Sequence, residues 1–125
     1  MVIGMGIDIQ EITKFERACK RGGKRFLERT FTPGEQAYCS RQAKAGQHYT
    51  GRFCAKEAFF KALGTGWANG MGWCEVEVVR GPSGQPALKL AGKAAELARK
   101  AKVKKTWLSL SHSDGYAAAA VILEG

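Results

Sequence analysis

Several things are scarce in this 125-residue chain, and each shortage excludes something. No apolar stretch approaches the ~20 residues that a membrane-crossing helix needs. The opening Met-Val-Ile-Gly-Met-Gly-Ile-Asp8 lacks the basic start and long apolar run of a secretory signal, so the expected location is cytoplasmic. The four cysteines, Cys19, Cys39, Cys54 and Cys74, make no C-x-x-C pair, which argues against zinc. Three of them have apolar or aromatic neighbours and read as buried thiols of a reducing compartment. There is no Gly-x-Ser-x-Gly elbow, no Walker motif and no G-x-G-x-x-G fingerprint. No internal repeat, low-complexity segment or linker appears. Acidic side chains are few: 11 Asp and Glu face 20 Lys and Arg, a formal charge of +9. That balance suits an acidic partner, whether nucleic acid, anionic membrane, acidic protein or polyphosphate, and charge alone does not choose.

What is present suits one domain over residues 1–125. Hydrophobic residues make up 45%, enough for a modest core that oligomerisation would supplement. Residues 2–9 read as a strand whose Gly4 and Gly6 mark a bulge or a close approach by another backbone or ligand. Residues 11–29 read as a charged helix broken at Gly22-Gly23. Thr32-Pro33-Gly34-Glu35 is a helix start with Thr as N-cap and Glu in the capping box. Gly46 is expected to close that helix. A long helix then runs from about His48 to Leu63, with Gly64-Thr65-Gly66 as its C-cap. Trp67 and Trp73 lie on the glycine-rich connection that follows. Residues 75–79 and 86–90 read as strands around a Gly81–Gly84 turn, and residues 92–102 as a helix. Residues 107–112 and 116–123 read as strands joined by an Asp-Gly hairpin turn. The pattern is α+β or mixed α/β.

Two segments carry candidate chemistry. Asp8 is the odd residue of an apolar strand, and a carboxylate there must cap, pair or bind a cation, since unpaired burial is costly. In the long helix, Glu57 and Lys61 are four apart, about 40° on a helix of roughly 3.6 residues per turn, and Arg52 and Lys56 repeat that spacing. This is either an amphipathic helix with one ion pair or a carboxylate–cation set for a metal-bound phosphate ligand. Mg²⁺ takes one or two protein carboxylates and leaves the rest of its octahedron to waters and phosphates. Lys14, Arg17, Lys20, Arg21, Lys24, Arg25 and Arg29 form a basic run opposed only by Glu16 and Glu28. It is either a solvated face or a docking surface for something acidic, with Phe15 and Phe26 as apolar anchors. Ser109, Ser111 and Ser113 share a strand face with Trp107, and His112 ends the strand.

These residues resemble a known family, the holo-acyl-carrier-protein synthases, small bacterial 4′-phosphopantetheinyl transferases. Gly4-Met-Gly-Ile-Asp8-Ile is similar to its first motif, and the segment from Arg52 through Lys56-Glu57 and Lys61 to Gly66 to its second. Phe31-Thr-Pro-Gly-Glu35, Gly84-Gln-Pro86 and Ser109-Leu-Ser111-His112 fit its other blocks. The resemblance implies an α+β transferase domain with a long central helix packed on a mainly antiparallel sheet. It implies transfer of phosphopantetheine from coenzyme A to a serine of apo acyl carrier protein, with release of 3′,5′-ADP. By the same resemblance Asp8 and Glu57 hold Mg²⁺, and Glu57 or a metal-bound water is the base. Lys61, Arg52, Lys56 and His112 hold phosphates of coenzyme A, with Ser109 and Ser111 beside His112. Gly64, Thr65, Gly66 and Pro86 shape the nucleotide pocket. Lys14, Arg21, Lys24, Arg25 and Phe26 dock the carrier. The family often has Arg where Lys14 stands, which keeps the charge without a bidentate contact. The short type is a homotrimer with sites between subunits, and neither nucleic acid nor membrane is an expected partner. A small basic RNA-binding domain is the rival reading; it explains the charge but leaves Asp8 and Glu57 without a purpose. A catalytically silent carrier-docking module is the other.

Overall fold

The computed structural model describes residues 1–64 and 71–125. Thr65, Gly66 and Trp67 therefore lie outside the described residues. In chain order come β1 (Val2–Glu11), α1 (Ile12–Thr30), α2 (Pro33–Ser40) and α3 (Ala45–Leu63). A 3-10 turn (Trp73–Glu75), β2 (Val76–Arg80), β3 (Pro86–Leu90), α4 (Gly92–Lys100), β4 (Lys105–His112) and β5 (Tyr116–Glu124) follow. The strands divide between two antiparallel sheets, β1-β5-β4 and β2-β3. The long helix α3 lies across β1 and β5, so the α+β class read from the sequence is the class observed.

Helix α3 is buried on more than one side, and small residues let it sink. Ala55, Ala58 and Ala62 seat it among the strands while Phe59 and Phe60 fill the core, each worth about 1.5–3 kcal/mol of burial. Strand β1 meets it without side chains at two points. A Cβ at Gly4 or Gly6 would run into the carbonyl oxygen of Ala62 or Ala58, respectively. The glycines thus permit the close backbone approach read from the sequence, and a register shift lies between Val2 and Gly4. Strand β5 alternates, with Ala117, Ala119, Val121 and Leu123 buried toward α3.

Local signals place most boundaries. Gly23 adopts φ 63°, ψ −156° and breaks α1 where expected. Both arms of the Thr32–Glu35 capping box form: the Glu35 N–H donates to Thr32 Oγ1 at 3.1 Å, and the Thr32 N–H to Glu35 Oε1 at 3.0 Å. Gly64 is a left-handed C-cap at φ 80°. Three readings are corrected. Helix α2 ends at Ser40, and Gly46 instead opens α3, where the Glu16 carboxylate fills the space of a Cβ. Glu75 lies in the 3-10 turn rather than a strand, and its Oε1 accepts from the Ala94 N–H at 2.9 Å at the start of α4. The turn between β4 and β5 has three residues, and neither Asp114 nor Gly115 takes the positive φ of an Asp-Gly mirror turn.

Two thiols rather than three are buried, Cys39 and Cys54; Cys19 and Cys74 are half-buried. Burial pushes the Cys54 thiol up to about 12, and those of Cys39 and Cys19 to about 11. A disulfide reagent at pH 8 is expected to label Cys74 and Cys19 first, with Cys39 and Cys54 waiting for global unfolding. Pulse labelling read by peptide mass checks this order, and equal rates at Cys54 and Cys74 would contradict it.

Candidate active site

The first inward carboxylate of β1 is Asp8, 8% exposed, one strand register beyond the glycines that seat the strand on α3. Both of its oxygens are engaged. Lys61 Nζ donates to Asp8 Oδ1 at 3.0 Å and to the Ile7 carbonyl at 2.9 Å, and Gln10 Nε2 donates to Oδ2 at 3.0 Å. Lys61 therefore pairs across to β1 rather than along its helix to Glu57. One turn back on α3, Glu57 is half-buried, and no cation of the described residues lies within ion-pair distance of it. Burial and then the Asp8 charge hold its carboxyl above the usual carboxylate range, with Lys61 opposing. Ile7, Asp8, Ile9, Lys61 and Ala118 line an open cleft of ≈ 460 Å³ beside this pair.

The donor set fits one kind of metal. Two mutually repelling carboxylates, with no cluster of three His, Cys, Asp or Glu among the described residues, suit a hard cation that takes its remaining oxygens from water and substrate. Zinc or a buried calcium cage would need more protein ligands.

Lys56 does something other than expected. Its side chain is fully buried, and Nζ donates to Glu35 Oε1 at 2.7 Å, the Val76 carbonyl at 2.7 Å and the Trp73 carbonyl at 3.1 Å. An ammonium has three N–H groups, so none remains for a coenzyme phosphate. The assignment of Lys56 to phosphate binding is corrected to a structural one. Glu35, read from the sequence only as a capping residue, is its partner and also takes the Val78 N–H at 2.8 Å. The one available signal was Lys56 itself, since a lysine on a buried helix face needs a carboxylate somewhere.

Arg52 is 5% exposed and stacks on Tyr38, its Cζ 4.3 Å from the ring centroid. Pro86 opens β3 opposite Arg80 of β2. His112, the last residue of β4, lies against the start of α3, its Nε2 3.2 Å from Gln47 Nε2. Ser109 and Ser111 are exposed on the sheet face that turns away from α3, in register through Ala120 and Ala118 with Ile7 and Ile9. Within one chain they do not join Asp8 and Glu57. Lys14, Arg21, Lys24 and Arg25 are exposed on α1, and Phe26 is half-buried with its ring 6.0 Å from that of Phe15. The cofactor assignments to Thr65 and Gly66 fall outside the described residues.

Residues 4–121 match the 4′-phosphopantetheinyl transferase superfamily. The chain is 51% identical to a holo-[acyl-carrier-protein] synthase of Geobacter sulfurreducens over 99% of its own length and 98% of that protein's. A Helicobacter pylori synthase solved in complex with coenzyme A superposes with a TM-score of 0.84 at 29% identity, covering 96% of this chain and 99% of that one. The Neisseria meningitidis synthase superposes with a TM-score of 0.90 at 28% identity over the whole of both chains. With the motif residues in place and the similarity running end to end, the chain belongs to the holo-[acyl-carrier-protein] synthase family of the 4′-phosphopantetheinyl transferase superfamily.

Proposed function

We propose that residues 1–125 act as one catalytic domain that transfers 4′-phosphopantetheine from coenzyme A to a serine hydroxyl of apo acyl carrier protein. The reaction is Mg²⁺-dependent, releases 3′,5′-ADP and serves fatty acid biosynthesis in the cytoplasm. The observation that carries the reading is the Asp8–Glu57 pair, bracketed by Lys61, at the seam of β1 and α3. When bound there, Mg²⁺ supplies neutralisation of the pyrophosphate and of charge building on the leaving phosphate. Asp8 and Glu57 would hold it. Lys61 fixes Asp8 with one N–H and the Ile7 carbonyl with another, which leaves a third for a phosphate oxygen. Glu57, a half-buried carboxylate close to Asp8, would take the proton of the carrier serine. The test is the intact mass of apo carrier after incubation with the protein, coenzyme A and Mg²⁺. A gain of about 340 Da that EDTA prevents supports transfer and its metal dependence together. No gain on a competent carrier overturns the reading.

The exposed cations of α1 are the proposed carrier dock. Electrostatic steering by Lys14, Arg21 and Arg25 acts on encounter with an acidic partner. Changing all three to Glu is expected to raise KM for carrier by about 10–100-fold, on the scale steering can reach, and KM for coenzyme A far less. Equal effects on the two substrates would remove the docking assignment.

We further propose a homotrimer with active sites between subunits. The sheet face turned away from α3 exposes Met5 at 66%, Ile7 at 66%, Ile9 at 63% and Trp107 at 48%. A contiguous apolar patch of that kind calls for a protein cover. Burying it between subunits would also bring Ser109 and Ser111 toward a neighbour's site. Sedimentation equilibrium is expected to give three times the 13.6 kDa chain mass, and a monomer at assay concentration would refute the assembly. No helix among the described residues is long and apolar enough to cross a membrane.

A further inference from the structure

Away from the carboxylate pair, two guanidiniums share one aromatic ring. Arg52 Cζ lies 4.3 Å and Arg80 Cζ 5.3 Å from the Tyr38 centroid, and Arg80 Nη1 donates to the Tyr38 hydroxyl at 2.8 Å. His48 tilts against the same ring at 5.8 Å and 74°. Burial and then the nearby Arg52, His112 and Arg80 hold His48 below its ordinary value, so these side chains are electrostatic neighbours. Among the described residues neither arginine has a carboxylate partner within ion-pair distance. Glu77 lines the same cleft of ≈ 230 Å³, and its Oε2 accepts from the Thr32 hydroxyl at 2.8 Å. The Nε of the nearly buried Arg52 has no hydrogen-bond partner. Clustered like charges and an orphaned buried N–H are both unfavourable, and a doubly charged anion with several acceptor oxygens relieves both.

Coenzyme A offers two such groups, a pyrophosphate and a phosphate monoester. Under the proposed function Asp8, Glu57 and Lys61 face the pyrophosphate. Arg52 is five residues from Glu57 on α3, which sets it about 7.5 Å along the axis and roughly 140° around it. It is therefore turned away from the group that Glu57 faces, and the monoester remains. Arg80 ends β2 directly opposite Pro86, the residue that the resemblance assigns to the nucleotide pocket. Its side chain bridges from that hairpin to Tyr38 of α2, the ring on which Arg52 of α3 also stacks.

We propose that Arg80 completes, with Arg52, a two-guanidinium grip on the phosphate monoester of coenzyme A, with Tyr38 holding both heads in place. The inference rests on the reading of Arg52 as a coenzyme phosphate ligand. Arg52 forms the fixed back of the grip, and the exposed Arg80 closes its mouth. Arg80 is then a specificity residue: it favours donors that carry the monoester over those that lack it. Tyr38 acts through the arginines and is a positioning residue.

The experiment is calorimetric binding of 3′,5′-ADP and of 5′-AMP to the wild type, Arg80→Gln and Tyr38→Phe, paired with KM for coenzyme A and for 3′-dephospho-coenzyme A. The wild type is expected to prefer 3′,5′-ADP by at least about tenfold, as a charge-assisted bidentate contact allows. Arg80→Gln should lose most of that preference by weakening 3′,5′-ADP alone, and Tyr38→Phe should lose part of it. Arg80→Gln should also raise KM for coenzyme A and leave that for the dephospho donor near its starting value. Equal weakening of both nucleotides, no weakening of either, or a wild type that does not distinguish them overturns the proposal. A wild type that distinguishes the nucleotides yet modifies no carrier would remove the transferase reading while leaving the grip in place.

Discussion

Glu57→Gln is expected to abolish transfer and, in the absence of metal at neutral pH, to raise the melting temperature. The two effects have one cause. Burial and the Asp8 charge raise the Glu57 pKa above its unfolded value, so the folded state binds that proton more tightly than the unfolded state does. An ionised Glu57 therefore costs stability above its folded pKa, and the cost shrinks as pH falls through it. The cost is gone below the unfolded value of about 4.3. Gln cannot ionise, so its advantage should be present at pH 7 and vanish toward pH 4. Thermal melts in EDTA across that range check the sign. On the activity side, loss of one electrostatic stabiliser of a developing charge costs about 10²–10³-fold, and loss of a metal ligand at least as much. Asp8→Ala should be equally inactive while remaining folded, although it leaves Lys61 and Gln10 without their carboxylate. Normal turnover by either variant would remove the metal-site assignment.

Lys56→Met is expected to destabilise the fold by about 3–5 kcal/mol, the cost of removing one partner from a buried ion pair. Total stabilities are about 5–15 kcal/mol, so this is a large fraction. The change strands the fully buried Glu35 carboxylate and frees the Val76 and Trp73 carbonyls. Adding Glu35→Gln should recover part of the loss, because the two effects belong to one interaction. Urea unfolding of both variants measures this directly. KM for coenzyme A should stay near wild type wherever Lys56→Met is folded. Wild-type stability with a raised KM would return Lys56 to the phosphate site.

These two residues show what the sequence can and cannot say. Asp8 stood out because a lone carboxylate in an apolar strand has few ways to exist. Gly4 and Gly6 stood out because glycine in a strand has few reasons to be there. The capping box, the Gly23 break and the Gly64 cap are written in three or four adjacent residues, so they were legible. The Lys56–Glu35 pair spans 21 residues, and helical spacing offered Arg52 and Lys56 a shared exposed edge that packing denies them. Arg80 and Tyr38 gave no signal in sequence, since only the docking of β2 against α2 and α3 brings them to Arg52. Gly46 and Glu75 misled for the same reason. Their environments come from Glu16 and from α4, which no local pattern reaches.

Two bare stretches of main chain in contact, at Gly4 on Ala62 and Gly6 on Ala58, set how far β1 stands from α3. That distance is therefore a property of peptide groups rather than of any side chain that mutation can trim or lengthen. Substitutions on the surface, among the exposed cations of α1 or across much of the core would leave the gap between Asp8 and Glu57 its size. A methyl group added at either glycine would resize it at once, pushing the strand and its carboxylate outward. The glycines are the gauge to which the pairing of Asp8 with Glu57 is built.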